Sequence, residues 1–174
     1  LSRTHLAQLT GLNKATVTSL VRELLESDFV HESGTDVGDI GRPAIHLNLN
    51  PKAGTIIGAE IGVDFVLVIL TNFAGEVIWR RREVTRRLER QETVLDLLES
   101  MLQDACQEAH AQGMRLLGMG LGVPGLVDVA AGTLLFAPNL GWADVRLKAR
   151  LQRKFKMPIE VADTYSICRL AISR

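Results

Sequence analysis

The feature that most constrains the fold is a break in the sequence pattern at Asn50-Pro51-Lys52-Ala53-Gly54. Proline and glycine interrupt helices and strands, so such a run between two patterned segments indicates a domain boundary. Before the break the pattern is two helices and two short strands, and after it strands alternate with longer helices. The 174 residues therefore predict two domains, at 1–50 and 54–174.

The first domain is predicted to contain helices at 3–10 and 13–27 and strands at 29–32 and 45–49, with a polar loop between the strands. The apolar residues of the second helix recur at intervals of three and four, so they share one face. We expect this face to point inward. It consists of Val17, Leu20, Val21, Leu24 and Leu25.

Four residues predict a helix-turn-helix: Ala7, Gly11, Val17 and Leu20 are separated by four, six and three positions. The motif needs a small residue where its helices touch, a turn residue that tolerates a left-handed backbone, and apolar anchors on the second helix. A plain helical hairpin in a larger core is the alternative. The two strands downstream favour a winged helix-turn-helix instead.

The outer face of the second helix and the loop after it predict contacts with duplex DNA. Arg42, at the Gly41-Arg42-Pro43 tip, suits a narrow minor groove, although an ordinary turn is the alternative. Residues 1–50 hold four Lys/Arg and six Asp/Glu, so we expect weak non-specific binding and dependence on a dimer. The second helix offers polar and cationic groups that suit base edges and phosphates, and Asn13 also caps this helix. The residues predicted to contact DNA are Asn13, Lys14, Thr16, Thr18, Ser19 and Arg22.

The second domain predicts an α/β lobe. The residue patterns indicate three antiparallel strands, a long helix, a buried strand, a hairpin around Gly132, a second helix, a further strand and a final helix that starts near Thr164. Cys106 falls on the apolar stripe of the long helix, so we expect it to be buried and reduced. The predicted bounds are strands 55–63, 64–71 and 76–84, helix 91–112, strand 116–123, helix 145–156 and strand 158–162.

The order of several short motifs resembles the ROK family, which unites repressors, open reading frames and sugar kinases. The resemblance implies a ribonuclease-H-like (actin-like ATPase) body in two lobes behind a winged helix-turn-helix. We expect only the first lobe here, since the chain stops at Arg174 inside a predicted helix and reads as a fragment. The matching stretches are 6–17, Gly-Arg-Pro-Ala at 41–44, Leu-Asn-Pro at 49–51, 58–62, Gly-Leu-Gly-Val-Pro-Gly-Leu-Val-Asp at 120–128 and Pro-Asn-Leu-Gly-Trp at 138–142.

The resemblance also implies that kinase chemistry is lost. Family kinases begin their first strand with Asp-Ile-Gly-Gly-Thr, whereas this chain has a Glu-Ile-Gly-Val-Asp stretch with Val63 and Asp64 in the last two places. The family Glu-Asn-Asp-Ala motif corresponds to Ala162-Asp163-Thr164-Tyr165, which puts Thr164 at the general base; a shift of one residue would put Asp163 there. We expect no enzyme. The alternative is an ATP-dependent sugar kinase with an appended DNA-binding head.

Three residues are predicted to bind a sugar: Gly125, Asn139 and Asp163. Residues 120–125 also fit the dinucleotide pattern G-x-G-x-x-G, but strand and turn follow rather than a helix, so we expect no nucleotide there. Under the resemblance, this turn borders the sugar cleft. Asn139 can donate to and accept from a diol, with an Asx-turn role as the alternative. We expect Trp142 nearby to be a core residue.

The remaining features limit cofactors and partners. Family repressors hold zinc in the second lobe, and the histidines and cysteines here lack ligand spacing, so no cofactor is expected in this chain. The basic stretches 79–90 and 146–156 are predicted to be solvated faces. With twenty basic and twenty acidic residues, the net charge implies no polyanionic partner. The reduced cysteine and the lack of a signal peptide or membrane span fit a cytoplasmic protein, and the resemblance implies a bacterial one. Its expected partners are operator DNA, a sugar or sugar-phosphate effector and further copies in a homodimer or homotetramer, and we expect no membrane partner. The second alternative to a repressor is a ligand-free scaffold that only mediates protein association.

Overall fold

The computed structural model describes residues 1–36, 44–86 and 88–164. Contacts divide the chain into two compact units. The first contains Leu1–Ala53 together with the turn Phe73–Gly75, and the second contains Gly54–Asn72 and the residues from Glu76 onward. No helix among the described residues is both long and apolar enough to cross a lipid bilayer.

The first unit consists of two helices and a two-stranded antiparallel sheet. Asn13 caps the second helix, because its Oδ1 accepts a hydrogen bond from the Thr16 backbone N–H at 2.8 Å. Gly11, with φ +69°, ends the first helix in the left-handed conformation that glycine adopts without strain. The elements are α1 (Arg3–Thr10), α2 (Lys14–Glu26), β1 (Val30–Asp36) and β2 (Ala44–Leu49), followed by a 3-10 turn at Pro51–Ala53.

The core of this unit is smaller than the sequence pattern indicates. Ala7, Val17, Val21 and Leu47 are buried together. Leu20 and Leu24, predicted to point inward with them, are 45% and 42% exposed. This part of the prediction is wrong, since the core lies on the Val17–Val21 side of α2 and no described element covers the rest of the stripe.

The second unit is an α/β structure with two sheets. The larger sheet has the order β10-β6-β3-β4-β5, in which β3, β6 and β10 run parallel; the smaller has the order β7-β8-β9. The elements are β3 (Thr55–Ile61), β4 (Phe65–Asn72), β5 (Val77–Val84), α3 (Gln91–Ala111), β6 (Leu116–Val123), β7 (Leu126–Asp128), β8 (Thr133–Ala137), β9 (Trp142–Val145), α4 (Leu147–Lys154) and β10 (Ile159–Asp163).

These elements follow the predicted order with one addition. The antiparallel pair β7–β8 confirms the hairpin around Gly132. Strand β9 was missed, and it replaces the start of the helix predicted at 145–156, which begins only at Leu147. The reason is pairing: Trp142 and Val145 register with β8, a contact that local sequence does not reveal. The last predicted helix contributes only Thr164 to the described residues.

The core of the second unit lies between α3, α4 and one face of the larger sheet. Strand alternation places every second residue on that face. The apolar stripe of α3 is buried as predicted except at Cys106, which is a half-buried free thiol whose pKa burial raises. The fully buried larger side chains are Ile57, Ile61, Leu70, Leu95, Leu98, Met101, Leu102, Leu121, Leu134, Leu147, Leu151 and Ile159.

A charged network joins α3 to α4. Arg150 donates to Glu99 Oε1 at 2.5 Å, to Glu92 Oε2 at 2.6 Å and to Asp96 Oδ1 at 3.0 Å, and Lys154 also bonds Glu99. The Glu99 side chain is only 4% exposed. Burial opposes its ionisation, but the hydrogen bonds from Arg150 and Lys154 outweigh burial and lower the pKa of the Glu99 carboxyl.

The two basic stretches differ in their surroundings. On β5 and the loop after it, Arg80 and Arg82 are exposed as predicted, while Arg81 is half-buried and pairs with Glu83 and Asp104. On α4, the inner face is buried, but Arg150 is an ion-paired bridge rather than a freely solvated charge. The prediction of solvated faces therefore holds for only part of each stretch.

Candidate functional sites

The candidate nucleic-acid interface is the outer face of α2. Lys14, Thr16, Thr18 and Arg22 are exposed there, and Ser19 is half-exposed. Because α2 is capped by Asn13 and buried along Val17 and Val21, its polar face points to solvent. The residues predicted to contact DNA, apart from the wing tip, therefore lie together on one helix.

Two of these residues already use part of their hydrogen-bonding capacity. Asn13 Oδ1 caps the helix, which leaves its Nδ2 for a ligand. The Thr18 hydroxyl donates to the Lys14 carbonyl at 2.7 Å, so it can only accept from a base edge. The side chains of Lys14 and Arg22 make no hydrogen bond or ion pair with any described residue, and they are the cations available on this face.

Arg3, another cation of this unit, is committed to a structural contact. Its Nη2 pairs with Glu32 Oε1 at 2.8 Å and ties α1 to β1. Arg42 and its glycine–proline tip lie outside the described residues.

The candidate sugar site lies at the carboxyl edge of the parallel strands. Because β3, β6 and β10 are parallel, their carboxyl ends meet at one edge of the sheet, where α/β proteins commonly bind ligands. Asp163, the last residue of β10, lies beside Val123, the last residue of β6. Gly125 follows two residues later. The structure thus brings Asp163 and the Gly125 turn to the same edge.

Gly125 allows the turn to pack closely on β8. Its φ is +150°, and a Cβ at this position would lie 2.4 Å from the Phe136 carbonyl oxygen and 3.0 Å from the Ala137 Cβ. Asn139 stands two residues beyond Ala137. Leu140, next to Asn139, lines a small cavity together with Gly62 and Val63 at the end of β3, so the loop that carries Asn139 also reaches this edge.

Asn139 is exposed at the tip of a tight turn. The turn is closed by backbone bonds from Leu140 N–H to the Ala137 carbonyl at 3.1 Å and from Gly141 N–H to the Pro138 carbonyl at 3.3 Å. The Asn139 carboxamide makes no hydrogen bond to any described residue, which disfavours the Asx-turn alternative. Trp142 is a core residue as predicted, with 3% exposure.

The end of β3 carries the residues that the resemblance matches to the phosphate-facing motif of family kinases. The Gly62 N–H donates to the Phe65 carbonyl at 2.7 Å, and a Cβ on Gly62 would lie 2.2 Å from the Phe65 ring. This glycine therefore serves a tight turn. Val63 is half-buried and Asp64 is exposed. An apolar side chain and a carboxylate stand where family kinases have a glycine and a hydroxyl.

The loop between β5 and α3 also belongs to this edge, and sequence reasoning missed it. Leu88 has φ +59° and is 65% exposed, and a Cβ on Gly141 would lie 3.6 Å from its Cδ2. Together with Val63, Arg86 and Leu140, it lines a cavity of only about 10 Å³, so the loops pack closely. No sequence signal marks a leucine in a left-handed conformation.

Two further features bear on metal binding and on Thr164, which the resemblance matches to the general base of family kinases. Among residues 1–36, 44–86 and 88–164, no group of three or more His, Cys, Asp or Glu side chains is placed to hold a metal ion. The Thr164 hydroxyl is buried and has no hydrogen-bond partner within the described chain. In the alternative alignment, Asp163 takes the base position at the same edge.

Comparison with known proteins defines the family. The ROK family model matches residues 56–171. The xylose repressor of Caldicellulosiruptor bescii is 38% identical over 161 residues, which are 92% of this chain and 40% of the repressor. The chain belongs to the ROK family, as its motifs predicted.

Solved structures show the same relationship. A ROK family transcriptional regulator, a homologue of the Escherichia coli Mlc protein, matches with a TM-score of 0.68 and 25% identity over 94% of this chain and 41% of its own. A ROK glucokinase from Streptomyces griseus matches with a TM-score of 0.51 and 24% identity over 63% of this chain and 33% of its own. The chain therefore spans about two fifths of the length of the xylose repressor and of the ROK transcriptional regulator.

Proposed function

We propose that this protein is a bacterial, cytoplasmic, sugar-responsive transcriptional repressor. The first unit acts as a winged helix-turn-helix that binds operator DNA, and the second is the first lobe of a ribonuclease-H-like body that binds the effector. The supporting observation is coverage: the regulators match 92–94% of the chain, whereas the glucokinase structure matches 63%. The similarity to repressors thus includes the segment that a kinase does not need.

The DNA contact is assigned to α2. Lys14 and Arg22 reach phosphates or guanine edges, and Thr16 and Ser19 hydrogen-bond to bases. These two cations are few, and residues 1–50 remain slightly acidic. Because phosphate attraction supplies most non-specific affinity, binding depends on paired heads in a homodimer or homotetramer, with Arg42 adding a minor-groove contact.

The effector is assigned to the neutral sugars, with an aldopentose such as xylose as the first candidate. Asn139 hydrogen-bonds ring hydroxyls, and the Asp163 carboxylate accepts from them. Asp64 adds another carboxylate at this edge. The exposed Asp64 carboxylate disfavours a phosphate group, so a free sugar fits this edge better than a sugar phosphate.

The kinase alternative is supported by the fold and opposed by the residues. Phosphoryl transfer requires a phosphate cradle and a placed base. Val63 and Asp64 offer no cradle, and Thr164 cannot take a proton at neutral pH. Incubation of the full-length protein with ATP, magnesium and a sugar panel is expected to give no ADP release at ordinary kinase rates, on the order of 1–100 per second. Release at that rate would favour the kinase.

Operator binding is tested with a matched pair of variants. Lys14→Ala combined with Arg22→Ala removes the cations of α2, and each lost base contact costs about 1–3 kcal/mol. Arg153→Ala combined with Lys156→Ala removes two exposed cations from the second unit as a control. We expect the first pair to abolish specific binding of full-length protein to its own promoter DNA and the control to retain it. Undiminished binding by the first pair would refute the assignment of α2.

A further inference from the structure

Leu88 is held in a conformation that its own side chain does not favour. Its φ of +59° lies in the left-handed region, where a Cβ crowds the following carbonyl. Its side chain is also 65% exposed, so little apolar burial offsets that strain. Residues kept in such conformations concentrate at functional sites.

The backbone of this loop does not need the leucine side chain. Thr85 N–H donates to the Asp64 carbonyl at 2.8 Å, and Glu89 N–H donates to the Arg86 carbonyl at 3.0 Å. These bonds hold the backbone of Thr85 and Glu89, on either side of Leu88. A glycine or asparagine would adopt the same backbone with less strain.

The position of Leu88 indicates what its side chain contacts. Val84, the last residue of β5, pairs with Phe65, next to the Gly62–Val63 turn at the carboxyl edge. Leu88 then lies against Gly141, two residues from Asn139. An exposed apolar group therefore lies against the turn that carries Asn139, the residue assigned to sugar hydroxyls.

We propose that Leu88 is a specificity-determining residue of the sugar site. A pyranose presents C–H groups on its faces and hydroxyls at its rim. Leu88 packs against the C–H face while Asn139 binds the rim, and the leucine disfavours charged substituents because it cannot solvate them. This inference rests on the proposed function, since it names a contact of the same sugar.

The test compares sugar affinity with stability. Full-length Leu88→Asn is titrated calorimetrically with D-xylose, D-glucose, L-arabinose and D-xylose 5-phosphate, and its thermal unfolding is recorded. Asparagine tolerates the left-handed backbone, so we expect an unchanged or higher Tm. Loss of the apolar contact is expected to raise the Kd of the preferred neutral sugar about tenfold. Val77→Thr, at a 58% exposed position on the opposite edge, serves as the control and should leave Kd unchanged.

Each outcome decides the inference. A higher Kd at unchanged or higher Tm supports it, because a residue needed only for folding would lower Tm. An unchanged Kd in Leu88→Asn, with sugar binding by the wild type, would overturn the contact and leave the proposed function intact. A lower Tm that accounts for the weaker binding would also overturn it. If the wild type binds none of the sugars, the effector assignment fails and this inference fails with it.

Discussion

The buried carboxylate of Glu99 gives the sharpest prediction about stability. Glu99→Gln removes its charge while keeping its size and one acceptor oxygen. The neighbouring Arg150 retains Glu92 and Asp96, but Lys154 loses its only ion-pair partner among the described residues. The variant therefore tests what a buried bridge between α3 and α4 contributes to folding.

The expected loss of stability in Glu99→Gln follows from how far its charged partners are exposed to solvent. Hydrogen bonds to charged groups contribute about 1.5–3 kcal/mol each, and truncating a buried pair costs about 3–5 kcal/mol. Glu99 is buried, but the Arg150 and Lys154 side chains are 27% and 51% exposed, and solvent screens the pair. Because glutamine keeps one acceptor, we expect a loss of about 2 kcal/mol. That corresponds to a Tm lower by about 4–8 °C for a chain of this size.

The pH dependence has a defined sign. The pKa of the folded Glu99 carboxyl is lowered, so its stabilising effect is present above the unfolded pKa, about 4.3, and is lost as pH falls through the folded pKa. The Tm difference between wild type and Glu99→Gln should therefore be full at pH 7. It should narrow as the pH falls below about 4, where protonated Glu99 resembles glutamine.

Thermal unfolding followed by circular dichroism from pH 7 to pH 3 measures both effects. Asp96→Asn is the matched control, since Asp96 bonds the same arginine from a 71% exposed position. We expect the control to cost less than about 1 kcal/mol. The reasoning is refuted if Glu99→Gln and Asp96→Asn are equally stable at pH 7, or if the Glu99→Gln deficit does not change with pH.

Substitutions at three other positions test the turn, the helix cap and the wing contact. Gly125→Ala should lower Tm and weaken sugar binding, because its Cβ would lie 2.4 Å from the Phe136 carbonyl oxygen; an unchanged Tm would show that the turn relaxes freely. Asn13→Ala should lower the free energy of unfolding by about 1 kcal/mol, because it removes the helix cap, and thermal unfolding measures this loss. Asn13→Ser should keep most of the wild-type stability, since serine also caps helices. Arg42→Ala should weaken operator binding most at A·T-flanked sites, and equal loss at G·C-flanked sites would argue for a phosphate contact alone.

The sequence predicted the helices and strands that are specified by residues close together in the chain. Asn13 and Gly11 mark helix ends through their own capping and backbone preferences, and the period of α3 gave its buried stripe. Strand β9 was missed because its pairing with β8 depends on residues that lie outside any local window. Leu20 and Leu24 were misplaced because periodicity reports which residues share a face and says nothing about whether a partner covers it.

The candidate sugar site was predicted in part. Gly125, Asn139 and Asp163 were selected by motif, and the parallel pairing of β6 with β10 explains why Asp163 and the Gly125 turn lie at one edge. The close approach of Gly125 to Phe136 and the left-handed Leu88 could not be predicted, since both depend on the tertiary placement of loops.

The most direct test of the central claim is sugar-dependent operator binding. Fluorescence anisotropy with the full-length protein and its own promoter DNA would be measured with and without D-xylose, in wild type and Asn139→Ala. We expect xylose to change the operator Kd of the wild type by about 5–150-fold, the usual range of allosteric coupling. We expect Asn139→Ala to retain sugar-free binding but to lose this change. An operator affinity that no sugar alters, or the absence of specific operator binding, would contradict the central claim.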